Sequence, residues 1–303
     1  MARVVGRFAP TPSGYLHLGN LFCSLLAWLA ARSQGGKIIL RNEDLDIERS
    51  RPEYALQAQR DLETLGLLWD EGGDRAGPHG PYEQSRRFPF YQTQLEKLEA
   101  MGLVYPCFCS RAQLHAASAP HAGTGEPVYP GTCRNLSPEE VARRSQTRSP
   151  ALRLQVPAET LSFVDGHYGL QSQFLPEACG DFILRRSDGV FAYQLAVVAD
   201  DGDMGVTQVV RGNDLLSSTP RQLLLYRLLG YPAPQFFHTP LLLASDGRRL
   251  SKRDGDLSLQ GLLARGVTPQ DVVGRLGFLA GLLEEPVPCT PQDLLPCFSW
   301  EKV

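Results

Sequence analysis

A turn rich in glycine and proline near the start of the chain has the residue types of an anion-binding site. Residues 12–14 (Pro-Ser-Gly) precede His17, and Gly19 and Asn20 lead into an apolar run. A strand-to-helix turn presents backbone N–H groups and the positive end of a helix dipole to an anion. His17 adds a side-chain donor, and Gly19 leaves room for a flat base. Alone, this pattern suits a purely structural turn equally well.

A basic segment far downstream offers the other half of a nucleotide site. Residues 249–253 read Arg-Leu-Ser-Lys-Arg within a polar, glycine-flanked stretch. A lysine on such a loop can follow the charge that moves onto a triphosphate as pyrophosphate leaves, which stabilises the transition state. A basic loop is usually only a solvated surface. The two elements in this order, about 230 residues apart, nevertheless indicate an ATP site.

Three of the seven cysteines, Cys107, Cys109 and Cys133, are spaced like metal ligands. Three thiolates and one further donor suit a tetrahedral, structural Zn²⁺ site. The candidates for the fourth ligand are two histidines and a tyrosine, His115, His121 and Tyr129. On physical grounds the histidines rank above the tyrosine, because a phenol is an unusual zinc ligand. Without a metal, the cysteines would be packing residues.

The elements that must position the first turn alternate between strand and helix. They are a strand at residues 6–9, a helix capped by Asn20 and running to Ser33, a strand at residues 37–40 and a helix from Pro52 to Gly66. This alternation predicts a parallel α/β sheet, in which ligands bind at the carboxyl ends of the strands. The turn at residues 10–19 and the acidic loop at residues 41–46 are therefore expected at one site.

The middle of the chain, from residue 105 to about residue 147, is irregular, and we interpret it as an insert between two halves of the sheet. A short helix is predicted after Ser137. The later elements are strands at residues 152–156 and 161–164, a hairpin around residues 187–189 with arms at 182–185 and 190–193, a strand at 206–211, a helix at 219–229, a strand at 236–239 and two or three short helices after residue 258.

The composition is that of an ordinary globular protein. The 303 residues are 43% hydrophobic and 21% charged, and they allow one large domain with an insert, or two domains. The net charge of −3 gives no global attraction to nucleic acid, although an arginine-rich stretch at residues 134–153 could be an RNA surface or a solvated face. No apolar run could span a bilayer, and the start lacks the features of a signal peptide. We expect a cytoplasmic monomer with no membrane partner.

The two nucleotide motifs resemble those of the class I aminoacyl-tRNA synthetases. Residues 9–14 and 17–20 resemble the HIGH motif, and residues 249–253 resemble the KMSKS motif. The glutamyl and glutaminyl branch is indicated by similar segments at residues 7–10, 41–46 and 211–220. The resemblance covers nearly the whole chain. It implies an α/β fold with a Rossmann-type parallel sheet, an inserted zinc-containing acceptor-binding subdomain and a short C-terminal helical region.

The same resemblance implies a division of the chain into four segments. Residues 1–104 and 181–240 would be the two halves of the Rossmann catalytic domain. Residues 105–180 would be the inserted zinc and acceptor-binding subdomain. Residues 241–303 would hold the KMSKS-like loop and a short helical region that contacts the RNA stem.

Roles for individual residues also follow from the resemblance. Those matched to ATP binding are His17, Gly19, Asn20, Leu250, Ser251 and Lys252, and those matched to catalysis are His17, Asn20 and Lys252. Those matched to glutamate are Arg7, Phe8, Ala9, Pro10, Thr11, Glu43, Tyr193 and Arg211. Those matched to zinc are Cys107, Cys109, Tyr129 and Cys133, because a branch of glutamyl-tRNA synthetase-like proteins has this pattern. Glu43 matches the acid that holds the substrate ammonium.

Two arginines in the amino-acid pocket favour glutamate over glutamine. A guanidinium binds a carboxylate strongly and directionally, whereas a neutral amide would leave one cation poorly paired. The glutaminyl enzymes have a small neutral residue where Arg211 stands. The alternative for Arg211 is a structural salt bridge to Asp214 or Asp181. Asn20 departs from the family pattern by replacing a histidine, but it can still donate a hydrogen bond to phosphate.

The length of the last segment bears on the acceptor. About 50 residues follow Arg253, which is too few for an anticodon-reading domain. With the cysteine pattern, this resembles short glutamyl-tRNA synthetase paralogs that activate glutamate without tRNA and attach it to queuosine, the wobble base of tRNA(Asp). We therefore expect a ligase that uses L-glutamate, ATP with Mg²⁺, and queuosine-containing tRNA(Asp).

Three other functions are open. The runner-up is an ordinary glutamyl-tRNA synthetase that charges a tRNA 3′ end. A catalytically silent RNA-binding or regulatory paralog is disfavoured by the intact His17, Glu43, Arg211 and Lys252. A nucleotide-binding oxidoreductase is disfavoured because no Gly-x-Gly-x-x-Gly follows the first strand.

Overall fold

Strands and helices alternate along much of the chain in the computed structural model, which describes residues 3–110, 128–242 and 258–303. The strands are β1 Val5–Phe8, β2 Lys37–Leu40, β3 Glu71–Gly72, β4 Val104–Cys107, β5 Ala151–Leu154, β6 Thr160–Asp165, β7 Gly169–Phe174, β8 Ile183–Arg185, β9 Gln208–Gly212 and β10 Gln235–Thr239. The helices are α1 Leu18–Arg32, α2 Pro52–Thr64, α3 Phe88–Ala100, α4 Pro138–Ser145, α5 Leu175–Ala178, α6 Tyr193–Asp203, α7 Thr219–Leu229, α8 Leu259–Ala264, α9 Pro269–Leu279 and α10 Pro291–Leu294.

The central sheet has the parallel pairing that the alternation predicts. β1 pairs with β2 and β2 with β3, and β9 pairs with β10, all in parallel. The Thr207 amide donates to the Val5 carbonyl and places β9 beside β1. The order across the sheet is therefore β10, β9, β1, β2, β3. The strand order reverses beside β1, where open α/β sheets form ligand-binding crevices.

Helix α1 packs across this sheet and is buried on more than one face. The predicted apolar face of Leu21, Leu25, Trp28 and Leu29 is buried, and so are Phe22, Leu26, Ala30 and Ala31 on its other sides. A helix that is apolar around most of its circumference belongs in a protein interior. Its start is consequently held rigidly at the carboxyl end of β1.

The strands between residues 104 and 185 pair antiparallel, apart from the central sheet. Strand β4 pairs with β5, and β5 pairs with β8. Strands β6 and β7 form a hairpin, in which Val164 pairs with Leu170 next to a turn at residues 166–168. Strand β7, strand β4 and helix α3 lie outside the elements predicted from the sequence.

One local prediction is wrong, and another is right only in part. Helix α1 is capped by His17 rather than Asn20, because the His17 ring accepts from the amides at the helix start. The predicted hairpin forms, with β8 as its first arm, the antiparallel bridge of Arg185 to Phe191 and a hydrogen bond from the Ala192 amide to the Leu184 carbonyl, but its second arm ends early because Tyr193 begins helix α6. Among the described residues, no helix is both long and apolar enough to cross a bilayer.

Candidate active site and cysteine cluster

A cavity of about 470 Å³ opens where β1, β9 and β10 end. All the residues predicted to bind glutamate line it, namely Arg7, Phe8, Ala9, Pro10, Thr11, Glu43, Tyr193 and Arg211. From the predicted ATP site, His17, Gly19 and Asn20 line the same cavity. Leu250, Ser251 and Lys252 lie outside the described residues. The fold thus joins two predicted sets of residues at one place.

His17 has a fixed tautomer because it caps helix α1. Its Nδ1 atom accepts from the amides of Gly19 at 3.1 Å and Asn20 at 3.4 Å. In a neutral imidazole that accepts at Nδ1, the proton is on Nε2, so the donor atom of the ring is Nε2. The Gly19 and Asn20 amides, expected to be free for an anion, are instead bound to His17.

Asn20 completes the cap in the opposite direction. Its Oδ1 atom accepts from the His17 amide at 3.2 Å, which forms a reciprocal capping box. This contact uses the carbonyl oxygen of the side chain, so the Asn20 amide group keeps its N–H donors. A β-carbon at Gly19 would lie 3.1 Å from the His17 ring, which is tight and explains the need for glycine.

Arg211 is a buried cation whose described partners are all neutral. Its Nε donates to His238 Nε2 at 3.0 Å, its Nη1 to Gln222 at 2.8 Å and its Nη2 to Thr219 at 2.9 Å. Within residues 3–110, 128–242 and 258–303, no carboxylate forms an ion pair with it, and Asp181 pairs with Arg134 instead. Burial lowers the pKa of Arg211. The alternative role for Arg211, a structural salt bridge to Asp214 or Asp181, is therefore not seen among these residues.

Glu43 also lines the cavity, and it lies close to the cations Arg41 and Arg7. Its Oε1 atom accepts from Arg41 Nη2 at 3.0 Å. Burial raises the pKa of Glu43, and Arg41 and Arg7 oppose that rise. Arg7, also buried, donates to the Val210 carbonyl at 3.1 Å and lies 3.8 Å from Asp201. The cavity is therefore lined by one buried carboxylate, Glu43, and two buried guanidinium groups, Arg7 and Arg211.

Arg41 holds the Glu43 carboxylate in place. It is fully buried and contacts Glu43, Asp201 at 2.7 Å and Asp200 at 3.5 Å. Burial lowers the pKa of Arg41, but the three carboxylates outweigh it and raise the pKa overall. The sequence prediction missed Asp200 and Asp201, because acidic residues within a helix give no local signal of burial.

The three cysteines and Tyr129 converge in the insert. The three Sγ atoms lie within 4.8 Å of one another, and Cys109 Sγ is 3.7 Å from Cys133 Sγ. The Tyr129 hydroxyl lies 3.4 Å from Cys107 Sγ and 3.8 Å from Cys109 Sγ. Burial raises the pKa of Cys109 to about 11. The histidine candidates His115 and His121 lie outside the described residues.

Arg153 places a positive charge beside the cysteine cluster. It is buried, its guanidinium lies 3.8 Å from the centre of the Tyr129 ring, and it donates to the Asp181 carbonyl at 2.6 Å. Burial acts to raise the pKa of Cys107, but its hydrogen bonds with Tyr129 and Arg153 contribute to a net lowering. A thiolate is therefore favoured at Cys107 and disfavoured at Cys109.

Three arginines of the arginine-rich stretch pair with nearby carboxylates. Arg134 forms a bidentate contact with Asp181 at 2.6 and 2.8 Å. Arg143 and Arg144 both bind Glu140, at 2.7 and 2.6 Å. These three side chains therefore stabilise the local fold.

The comparisons with known proteins agree with this geometry. The family model for class I tRNA synthetases (E and Q), catalytic domain, matches residues 3–280. A glutamyl-Q tRNA(Asp) synthetase of Symbiobacterium thermophilum is 57% identical over 98% of this chain and 93% of that protein. A glutamate–tRNA ligase of Sulfurihydrogenibium sp. is 42% identical over 90% of this chain, but this chain spans only 57% of it.

A solved structure is similar over nearly the whole chain. It is a glutamate tRNA ligase from Elizabethkingia meningosepticum in complex with its amino acid, with a TM-score of 0.86 and 29% identity. The match covers 99% of this chain and 66% of that one. The chain belongs to the class I tRNA synthetase family for glutamate and glutamine, within the group of glutamyl-Q tRNA(Asp) synthetases.

Proposed function

We propose that this protein is a cytoplasmic ligase that activates L-glutamate with ATP and Mg²⁺, then transfers the glutamyl group to queuosine in tRNA(Asp). One observation carries the choice of substrate: a buried guanidinium, Arg211, lines the cavity with only neutral partners among the described residues. A buried charge is costly until an opposite charge meets it. The side-chain carboxylate of glutamate supplies that charge, and the amide of glutamine does not.

Glu43 accounts for the ammonium group of the substrate. The described hydrogen bond of Glu43 uses Oε1, so its second oxygen can accept from the glutamate ammonium. Arg7 and Tyr193 line the cavity with Glu43 and Arg211. The N–H groups of Arg7 and the hydroxyl of Tyr193 can bind the substrate carboxylates. Glutamate, which has one ammonium and two carboxylate groups, fits a cavity lined by Glu43, Arg7 and Arg211.

The nucleotide would lie toward the start of helix α1. The Nε2–H of His17 and the side-chain amide of Asn20 are donors suited to phosphate oxygens, next to the positive helix end. The glutamate α-carboxylate then attacks the α-phosphorus of ATP, and pyrophosphate leaves. Lys252 is proposed to follow the leaving charge. The step needs no protein nucleophile, and it rests on positioning and charge stabilisation.

The transfer step completes the reaction without further cofactors. A hydroxyl of the queuosine cyclopentene ring attacks the carbonyl carbon of glutamyl-adenylate. The carbon–oxygen bond to the phosphate breaks, AMP leaves with the bonding pair, and the hydroxyl proton is released. The 57% identical relative is named for this acceptor, which supports its assignment here.

We also propose that Cys107, Cys109, Cys133 and Tyr129 hold a structural Zn²⁺ ion. A tetrahedral ion with ligands at about 2.3 Å for sulfur and about 2.0 Å for oxygen separates its ligands by about 3.8 Å for S–S and about 3.5 Å for S–O. Three of the six separations lie close to these edges, at 3.7 Å between two sulfurs and at 3.4 and 3.8 Å between sulfur and oxygen, and the three sulfurs all lie within 4.8 Å of one another. Arg153 would offset the excess negative charge of this ligand set.

The test is ATP–pyrophosphate exchange that depends on glutamate in the absence of any tRNA. We expect exchange with glutamate and much less with glutamine or aspartate. Transfer of labelled glutamate should then require tRNA(Asp) that contains queuosine and should be resistant to removal of the 3′ terminal adenosine. Exchange that appears only with tRNA, or charging of a tRNA 3′ end, would instead identify an ordinary glutamyl-tRNA synthetase, the alternative that the ligase relatives support.

A further inference from the structure

A buried Asp–His pair stands behind Arg211, outside the residues that line the cavity. Asp165 and His238 are 1% and 0% exposed. Asp165 Oδ2 lies 2.6 Å from His238 Nδ1, and His238 Nε2 accepts from Arg211 Nε at 3.0 Å. The three side chains form a continuous line from β6 through β10 to β9.

The chemistry of the two outer groups fixes the proton on the histidine. An arginine Nε can only donate, so His238 Nε2 must present its lone pair to Arg211. A carboxylate can only accept, so His238 Nδ1 must carry the proton toward Asp165. The ring is therefore held neutral, in one tautomer and one orientation. Arg211 in turn has its Nε anchored, which sets the plane of its guanidinium.

Asp165 also organises the turn of the β6–β7 hairpin. Its Oδ1 atom accepts from the amides of His167 at 3.1 Å and Tyr168 at 2.9 Å, and from the His238 amide at 3.3 Å. The Tyr168 hydroxyl accepts from Asn213, in the turn after β9. One carboxylate thus ties the insert to the strand end that carries Arg211.

We propose that Asp165 and His238 are positioning residues that orient Arg211 for the side-chain carboxylate of glutamate, so that the insert sets amino-acid specificity in the catalytic domain. This rests on the proposed function of the cavity. The proposal makes a specific prediction for an isosteric substitution of the aspartate. In Asp165→Asn, the new amide donates toward Nδ1, the histidine proton moves to Nε2, and two N–H groups face each other at Arg211.

The experiment is glutamate-dependent ATP–pyrophosphate exchange by the full-length wild type and by Asp165→Asn, His238→Leu and His238→Gln. For Asp165→Asn and His238→Leu we expect the KM for glutamate to rise about tenfold or more, as when a buried charged donor loses its acceptor. The KM for ATP and kcat should change less than about threefold. His238→Gln, which keeps an acceptor at the end of the side chain, should recover much of the loss.

Two comparisons separate positioning from general damage. Val206→Ala removes a buried side chain of the same core without touching this line, so it should lower the thermal midpoint and leave the KM for glutamate unchanged. In an Arg211→Gln background, Asp165→Asn should have no further effect on glutamate use.

Opposite results overturn the proposal in distinguishable ways. A KM for glutamate within twofold of wild type in both Asp165→Asn and His238→Leu would refute the positioning role while leaving the proposed function intact. A rise in the KM for glutamate in Val206→Ala equal to that in Asp165→Asn would also refute it. So would an Asp165→Asn effect of undiminished size in the Arg211→Gln background. Absence of exchange in the wild type would refute the proposed function, and the positioning role with it.

Discussion

At the scale of single residues, we propose that substrate choice depends on Arg211, a buried charge with no carboxylate partner among the described residues. We predict that Arg211→Gln lowers kcat/KM for glutamate by about 100-fold or more, since a charge-assisted contact to the substrate is lost. The thermal midpoint should fall little, because the change also removes a buried charge that lacks a carboxylate partner among the described residues. Exchange rates with glutamate and glutamine measure the effect. An unchanged preference for glutamate would place the specificity elsewhere.

At the scale of elements, His17 caps helix α1, and we propose that it also donates toward the nucleotide. His17→Asn should keep the cap, since asparagine is among the best N-cap residues, and should lower exchange by about 100-fold through loss of the Nε2 donor. His17→Ala should lose both, with an added cost of about 0.5–2 kcal/mol in stability. Urea unfolding and pyrophosphate exchange on the same samples distinguish the two tasks. Full activity in His17→Asn would contradict the phosphate role.

The insert offers a second element-scale prediction. Protein prepared with zinc should hold about one Zn²⁺ per chain, and Cys133→Ser should lose it together with thermal stability of the insert. Tyr129→Phe should keep three thiolate ligands and bind the ion more weakly, because one ligand position passes to water. Metal content by elemental analysis and chelator competition check both variants. Zinc-free wild-type protein after purification in excess zinc would refute the site.

At the scale of the whole molecule, a buried cluster of ion pairs links the loop after strand β2 to helix α6. Arg41 contacts Glu43, Asp200 and Asp201, and the two aspartates also pair with Arg87 and Arg7. We predict that Arg41→Met lowers the free energy of unfolding by about 3–5 kcal/mol, because Glu43 loses its described ion pair and each buried aspartate keeps only one cation. Arg49→Ala, which breaks a pair whose arginine is 82% exposed, should cost less than about 1 kcal/mol.

The pH dependence of that loss has a definite sign. Burial already raises the pKa of Asp200 against the opposing effect of Arg41 and Arg87, and removal of Arg41 would raise it further. The folded variant then binds more protons than its unfolded chain above the ordinary carboxylate pKa. Its stability should therefore recover relative to wild type as the pH falls from 7 toward 5. Urea unfolding across this range measures it, and a loss that grows on acidification would contradict the mechanism.

Sequence by itself identified the chemistry that is local along the chain. The turn at His17, the strand and helix alternation around it, and the cysteine spacing were readable because turns, caps and metal ligands depend on neighbouring residue types. The cysteine set illustrates the limit of that reasoning. Residue chemistry alone favoured His115 or His121, the family resemblance indicated Tyr129, and the fold places the Tyr129 hydroxyl beside the sulfur atoms.

Only the tertiary structure decided which distant residues act on each other. It exchanged the roles of His17 and Asn20 at the helix cap, gave Tyr193 to a helix, and placed Asp165, of a hairpin in the insert, behind His238 and Arg211. It also showed that Arg211 has neutral partners where a salt bridge to Asp181 had been an alternative. Burial and long-range pairing set these outcomes, because desolvation and charge depend on every element packed around a group and not on its neighbours in sequence.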